Sequence, residues 1–392
     1  MRSLNHHGRR LALAGTAMLL AGCARNAPQD TWKPAGWSAR TIDTLQEPIF
    51  YIAGVIGLIV LFAVIFVVVK FRQRPGDDSI PKQVHGHKTE VLWTIVPALV
   101  LAGITVPTLK TIFTLAEKKQ SQLEITVTGQ QWWWSFDYKG MSAEGITTAN
   151  EMVIPAGQQV NLRITSRDVI HSFWIPKLNG KRDAVPGRVH PLNMSADQPG
   201  EYWGQCTEFC GLSHANMRMR VVALSADDFA KWVANQLKPA ADPTDAQAIS
   251  GQATFLAQCS RCHTINGLTQ QVKQADGSTK SEPVIAAPEQ NLVSGIAPNL
   301  THLMSRTTFA GGTFDLKVPG CENPSTYSSA FTTGTDIACL NRPDLERWLR
   351  NAPAMKPMYS KLNKDKLYRG MPNLNLNEQQ IDDLVAYLTT LK

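Results

Sequence analysis

The sequence predicts a multidomain chain: a two-helix transmembrane hairpin, then an all-β sandwich, then an all-α domain. Three observations predict it. Two long apolar runs lie in the first third, apolar residues alternate with polar ones from Leu123 onward, and beyond residue 245 the apolar spacing becomes helical. A chain of 392 residues is long enough for two ordinary globular domains plus further segments. With 43% hydrophobic and 18% charged residues, it has material for packed cores and for membrane. The formal net charge of +7 does not point to nucleic acid. Several positive residues flank the apolar runs, where they set topology, and no basic stripe with interleaved aromatics is present.

Residues 1–23 read as a lipoprotein-type signal peptide. Arg9 and Arg10 form a short positive region, and Leu11 to Leu20 is an apolar run too short to span a bilayer. Leu20-Ala21-Gly22-Cys23 then resembles the lipobox of bacterial lipoproteins. That resemblance makes Cys23 an acylated mature N-terminus, and the alternative is a simple secretory signal cut nearby. Either way residues 24–47 form an extracytoplasmic segment.

The transmembrane hairpin is expected over 48–116, with helices at about 48–70 and 91–115. Pro48 to Val69 is uncharged and long enough for a span of about 20 residues. Lys70, Arg72 and Arg74 follow it, and the connecting loop also carries Lys82 and Lys88. By the positive-inside rule this loop is cytoplasmic, so both ends of the hairpin face outward. The second run holds Pro97 and Pro107, and Lys110 near its far end can snorkel. A buried pair of core helices would not be so long and uniformly apolar.

From 121 to 224 the period is that of half-buried strands. Leu123, Ile125 and Val127 alternate with polar residues, as do Asn161 to Thr165 and Met217, Met219 and Val221. Pro155-Ala156-Gly157 and Pro199-Gly200 supply turns. Short strands at this spacing predict a small sandwich. Residues 225–247 read as a connecting helix and linker, and 248–392 as a helical domain. Its last helix is the clearest: Asn377 can cap it, and Ile381, Leu384, Val385 and Leu388 share one face.

The segment from Cys206 to Met217 carries the most chemistry. It offers two thiolates, the imidazole of His214 and the thioether of Met217 within twelve residues. Soft sulfur with imidazole suits copper, and a weak Met ligand is a copper electron-transfer feature. Two cysteines, where a mononuclear site needs one, can bridge two copper ions. Each copper then needs a terminal imidazole, and His171 is the candidate for the second. A disulfide between Cys206 and Cys210 is one alternative, and a zinc site, normally closed by four Cys/His donors, is the other. Met194, Met219 and His190 read as packing or surface residues.

This segment resembles the cupredoxin-like CuA domain of cytochrome c oxidase subunit II. The two-helix hairpin, Gln131-Trp132-Trp133-Trp134-Ser135-Phe136 and Lys181-Arg182-Asp183-Ala184-Val185-Pro186-Gly187-Arg188 also match that family's pattern, over roughly 45 to 224. The resemblance implies a dinuclear copper centre held by His171, Cys206, Glu208 through its carbonyl, Cys210, His214 and Met217. It implies that the Glu208 side chain reaches a Mg ion at the interface with subunit I, and that electrons enter at Trp132. Three adjacent tryptophans can equally be packing. Glu90, at the cytoplasmic start of the second helix, is either the mouth of a proton path into subunit I or a carboxylate favoured by the helix dipole.

Cys259-Ser260-Arg261-Cys262-His263 is a C-x-x-C-H motif, the pattern of covalent haem c attachment, with His263 placed to ligate iron. A zinc knuckle or a redox dithiol is the alternative. The region resembles a class I cytochrome c over about 248 to 392, so the helix before Cys259 should pack on the last helix, and Ala297-Pro298-Asn299-Leu300 fits the loop before that family's middle helix. A sixth, methionine ligand has four candidates, Met304, Met355, Met358 and Met371, of which Met371 stands just before the last helix as that family's axial Met does. Cys321 and Cys339 lie in an insertion, where a disulfide would close seventeen intervening residues and stabilise by about 3 kcal/mol on the chain-entropy model.

Together these resemblances imply subunit II of a bacterial oxidase, anchored in the inner (cell) membrane with both metal-bearing domains outside. Electrons would pass from an external donor, such as a cytochrome or the bc complex, to haem c, to CuA and into subunit I. There oxygen would be reduced to water with proton pumping, with subunit III as a further partner. The two expected helices contain no histidine, so the oxygen site belongs to another chain. A quinol oxidase subunit would lack the copper ligands, and a stand-alone electron carrier or copper-handling module would not need the hairpin.

Overall fold

The structure is a computed structural model that describes residues 15, 27–72, 75–76, 86–117, 121, 123–141, 145–274, 276–283, 296–321, 337–358 and 369–392. The expected signal peptide apart from Gly15, its lipobox and Cys23, and Arg74 and Lys82 of the cytoplasmic loop, lie outside the described residues.

Two long helices come first, α1 (Trp37–Lys70) and α2 (His87–Ala116). In α1 only Ser38 and Ala39 are buried, and in α2 nothing is. Side chains such as Phe62, Val69, Leu99 and Phe113 face outward along both. Apolar surface of that extent is stable against lipid rather than water, and a helix satisfies its own backbone there. The first helix begins at Trp37 rather than at Pro48, which is an interior residue. Its first turn is held by the sandwich: Ala39 N donates to Leu178 O at 3.2 Å, Ser38 Oγ donates to Asn193 O at 3.2 Å, and Arg40 pairs with Asp197. Burial against another domain extends the helix across a proline whose missing N–H would otherwise favour a break. The second helix likewise begins at His87, ahead of the expected 91.

The sandwich follows as expected from sequence. One sheet has the order β3 (Ile146–Ala149), β2 (Trp133–Lys139), β1 (Glu124–Gln130), β5 (Val160–Ser166), β8 (His190–Met194). The other has the order β4 (Glu151–Pro155), β10 (Arg218–Leu224), β9 (Gly200–Cys206), β6 (His171–Trp174), β7 (Arg182–Ala184). Register places Val127 opposite Phe136 and Ile164, and all three are fully buried. Strand β10 departs from alternation: from Met219 to Leu224 every residue is buried. Its outer face is covered as well, so Arg220 lies at 5% exposure.

What covers it is the C-terminal region. Helix α3 (Ala226–Gln236), capped by Ser225, sets Trp232 against Tyr138 with ring centroids 5.2 Å apart. Helices α4 (Ala246–Gln258), α5 (Arg342–Met355) and α6 (Glu378–Leu388) then form a second core. Asn377 caps α6 in a capping box with Gln380, and Ile381, Leu384, Val385 and Leu388 are buried. Phe255 of α4 meets Tyr387 of α6 at 5.7 Å between centroids. Each such burial is worth roughly 1.5–3 kcal/mol. The region is not purely helical. A hairpin of β11 (Thr269–Lys273) and β12 (Thr279–Pro283) follows the C-x-x-C-H motif, and β13 (Thr308–Phe309) pairs with β14 (Phe314–Asp315). Ala297-Pro298-Asn299-Leu300 is followed directly by a short 3₁₀ turn, Leu303–Ser305, and the next described α-helix is α5. Cys321 and Cys339 are joined as a disulfide.

Candidate metal centre

The ends of three strands build one cluster. His171 opens β6, Cys206 closes β9, and the loop from 207 to 217 returns into β10. Backbone bonds pin the loop: Cys206 N donates to Met217 O at 2.9 Å and Thr207 N to Ser172 O at 3.1 Å. The sulfurs of Cys206 and Cys210 stand 3.8 Å apart and are not bonded to each other. His171 Nδ1 lies 3.9 Å from the Cys206 sulfur, and His214 Nδ1 lies 3.5 Å from that of Cys210. Met217 Sδ is 3.8 Å from Cys210 Sγ, and the Glu208 carbonyl oxygen is 3.3 Å from Cys206 Sγ.

Neighbours fix this geometry. Asp168 Oδ1 stands 2.9 Å from His171 Nε2, so the ring turns its Nδ1 to the sulfur. Gly129 of β1 makes room for that ring, since a Cβ there would come within 2.9 Å of His171 Cδ2. Gly211, at φ 109°, sits where a Cβ would meet the Gln131 amide at 2.9 Å. That amide donates to Cys210 O at 2.6 Å, and Trp132 Nε1 donates to the same oxygen at 3.1 Å. Trp132, Trp133 and Trp134 are all buried, as are Met194 and Met219, while His190 is half-buried with Nδ1 2.7 Å from Asp183 O.

The electrostatics favour cations here. Burial alone would raise the Asp168 carboxyl, but hydrogen bonds from His171 and from the backbone of Gln131 and Val169 outweigh it and hold it low. The hydrogen bond from Cys210 lowers Cys206, and the neighbouring sulfur raises Cys210. Two buried thiolates this close repel one another unless positive charge lies between them. Five side chains and a carbonyl, with one imidazole for each sulfur, exceed the four donors of a zinc site and form a soft set suited to copper.

The C-x-x-C-H motif ends α4. Cys259 N donates to Phe255 O at 2.8 Å, and the N–H groups of Cys262 and His263 both donate to Cys259 O at 3.0 Å. Neither cysteine is in a disulfide. Burial pushes the Cys259 thiol up to about 12 and raises Cys262, while it lowers His263. His263 Nδ1 donates to Pro298 O at 2.8 Å, which leaves Nε2 with its lone pair. Met371 packs, half-buried, against the C-terminal core, Met304 is fully buried, Met355 ends α5, and Met358 packs on the sandwich.

Residues 31–111 match the family Cytochrome C oxidase subunit II, transmembrane domain, and residues 141–224 match Cytochrome C oxidase subunit II, periplasmic domain. Cytochrome c oxidase subunit 2 of Alkalihalophilus pseudofirmus is 38% identical over 66% of this chain and 77% of its own length. The subunit 2 of a Bacillus species, strain PS3, is 32% identical over 82% and 80%. That of Bacillus subtilis is 30% identical over 97% of both chains. This chain belongs to the cytochrome c oxidase subunit II family. As a subunit II it is part of the haem–copper oxidase complex, with subunit I as its partner. It spans the bacterial membrane by α1 and α2 and carries a CuA-type domain on the periplasmic side.

Three groups in this subunit II were not singled out from sequence. Asp168 lies three residues before His171, where no motif in the sequence marks it. Glu151, 2% exposed, accepts hydrogen bonds from both the N–H and the hydroxyl groups of Thr307 and Thr308. Lys356, 3% exposed and pushed down to about 7 by burial, donates to Trp132 O and Ala310 O. No local pattern marks the last two, because their partners are far away in sequence. Glu90 lies in the first turn of α2, 3.8 Å from His87, and Glu208 is exposed.

Proposed function

We propose that this subunit accepts electrons at a covalent haem c in its C-terminal domain and passes them through CuA to subunit I, where oxygen is reduced to water with proton pumping. His171, Cys206, the Glu208 carbonyl, Cys210, His214 and Met217 would hold the copper pair. Cys259 and Cys262 would carry the haem by thioethers, and His263 and Met371 would hold its iron. Both groups, when bound, supply one-electron chemistry without proton transfer. The chain's own residues do the rest: Asp168 orients His171, Pro298 orients His263, and the buried tryptophans exclude water. Trp132 is the point where electrons reach the copper domain, through its bond to the Cys210 carbonyl. The exposed Glu208 carboxylate would meet a Mg ion at the subunit I surface, and Glu90 would open a proton path. A cytochrome or the bc complex serves as donor, subunit III completes the assembly, and Cys23 carries the lipid.

The observation that carries this reading is the pair of unbonded sulfurs 3.8 Å apart, each with its own imidazole. Optical and electron-spin spectra of the purified protein test it. The expected result is covalent c-type haem bands together with a mixed-valence copper-pair signal, the latter lost in Cys206→Ser. Haem bands without the copper signal, or copper retained by Cys206→Ser, would overturn it.

A further inference from the structure

Three residues leave the end of α5 and cross from the C-terminal domain onto the rim of the metal centre. Lys356 Nζ donates to Trp132 O on the sandwich and to Ala310 O on its own side, each at 2.9 Å. Pro357 O accepts from the hydroxyl of Ser213, which is 1% exposed and precedes His214. Met358 packs against the sandwich core, and its sulfur accepts from the Met371 N–H at 3.2 Å. The turn before Met371 is pressed on it as well: a Cβ on Gly370 would stand 2.4 Å from that sulfur.

We propose that Lys356, Pro357 and Met358 form a strap that couples the haem domain to the copper pair, by a route separate from the Trp132 indole. The inference rests on Met371 being the haem ligand. The route runs from the Met371 N–H to the Met358 sulfur, along the chain to the Pro357 carbonyl, through the Ser213 hydroxyl and one peptide unit to His214. His214 Nδ1 faces Cys210. One electron moves and no bond or proton does: ferrous haem becomes ferric and the copper pair is reduced by one, with the external donor restoring the haem. Every link is covalent or a hydrogen bond, and tunnelling is faster along such a path than across a gap; Ser213 at its centre is buried, whereas Pro357 is exposed and Met358, Met371 and His214 are half-buried. Lys356 is a positioning residue here, clamping the strap by bonding both domains.

The test uses the intact oxidase with its cofactors. In Ser213→Ala and Met358→Leu the haem is reduced by a light-triggered reductant and the appearance of reduced copper is followed. Each variant should slow that transfer on the order of tenfold, because small losses of positioning cost rate steeply. Midpoint potentials of both centres should not move, which a general structural defect would not allow. Independently of electron transfer, hydrogen exchange at the Met371 amide should quicken in Met358→Leu. Unchanged transfer rates in both variants, or an unchanged Met371 amide, overturn the strap while c-type bands persist. Absence of those bands from the wild-type protein overturns the parent reading instead.

Discussion

The carboxylate of Asp168 and the imidazole of His171 meet at 2.9 Å, and this contact decides which ring nitrogen faces Cys206. A carboxylate behind a ligating imidazole fixes its tautomer and raises its basicity. Replacing Asp168 with Ala should therefore weaken copper retention by roughly 10- to 100-fold. Competition of the full chain against a chelator of known affinity measures this. Retention equal to the wild type would mean that the ring is held by packing alone.

Gly129 is the packing counterpart. An added Cβ would stand 2.9 Å from His171 Cδ2 and 3.1 Å from Trp134, and both rings are fully buried. Neither can retreat, so Gly129→Ala should cost about 1–3 kcal/mol. It should also alter the copper-pair spectrum, because the ring that must move is a proposed ligand. Loss of stability with an untouched spectrum would show that Trp134 yields and His171 does not.

Local pattern carried the reading furthest where one element answers to one period. The alternation Ile125, Val127 and the helical spacing Ile381, Leu384, Val385, Leu388 both became buried faces. The donor set was legible because Cys206, Cys210, His214 and Met217 share one loop. Pro48 misled because the helix before it is held by the sandwich, through Ser38 and Asn193, 155 residues apart. The hairpin of β11 and β12 has no apolar alternation to announce it. The contacts of Glu151, Lys356 and Ser213 join residues 144 to 224 positions apart, and no window along the chain contains both partners.

Glu201 gives the interface a pH dependence. Burial pushes its carboxyl up to about 7, and although Arg220 Nη1 donates to Oε2 at 3.2 Å, Oε1 has no hydrogen-bond partner among the described residues. Glu151, Asp315 and Lys317 also face it. A carboxyl raised in the folded state holds its proton to higher pH than the unfolded chain does. Its contribution to stability is thus fully present below the ordinary 4.5 and is lost as pH rises to about 7. Glu201→Gln cannot ionise, so it should unfold at a higher temperature than the wild type at about pH 8 and at nearly the same temperature at about pH 4.5. Equal shifts at both pH values would assign the effect to shape rather than charge.

Glu151 makes the strongest demand on the C-terminal domain. Its Oε1 takes the Thr308 N–H at 2.6 Å and the Thr307 hydroxyl at 2.9 Å, and the Thr307 N–H lies 3.0 Å from Oε2. Arg220 closes the group by donating to Thr307 Oγ1 at 3.0 Å and Asp315 Oδ1 at 2.6 Å. The carboxylate belongs to β4, Thr308 opens β13 and Thr307 precedes it, so the cage exists only while the two domains are docked. Glu151→Ala would leave buried donors unpaired, at a cost of about 1–3 kcal/mol for each that water cannot reach. Glu151→Gln keeps an acceptor and should lose less. Hydrogen exchange at Thr307 and Thr308 reads the cage directly: it should accelerate strongly in the Ala variant and weakly in the Gln variant. If both amides exchange at the wild-type rate in Glu151→Ala, the docking of the two domains does not depend on this carboxylate.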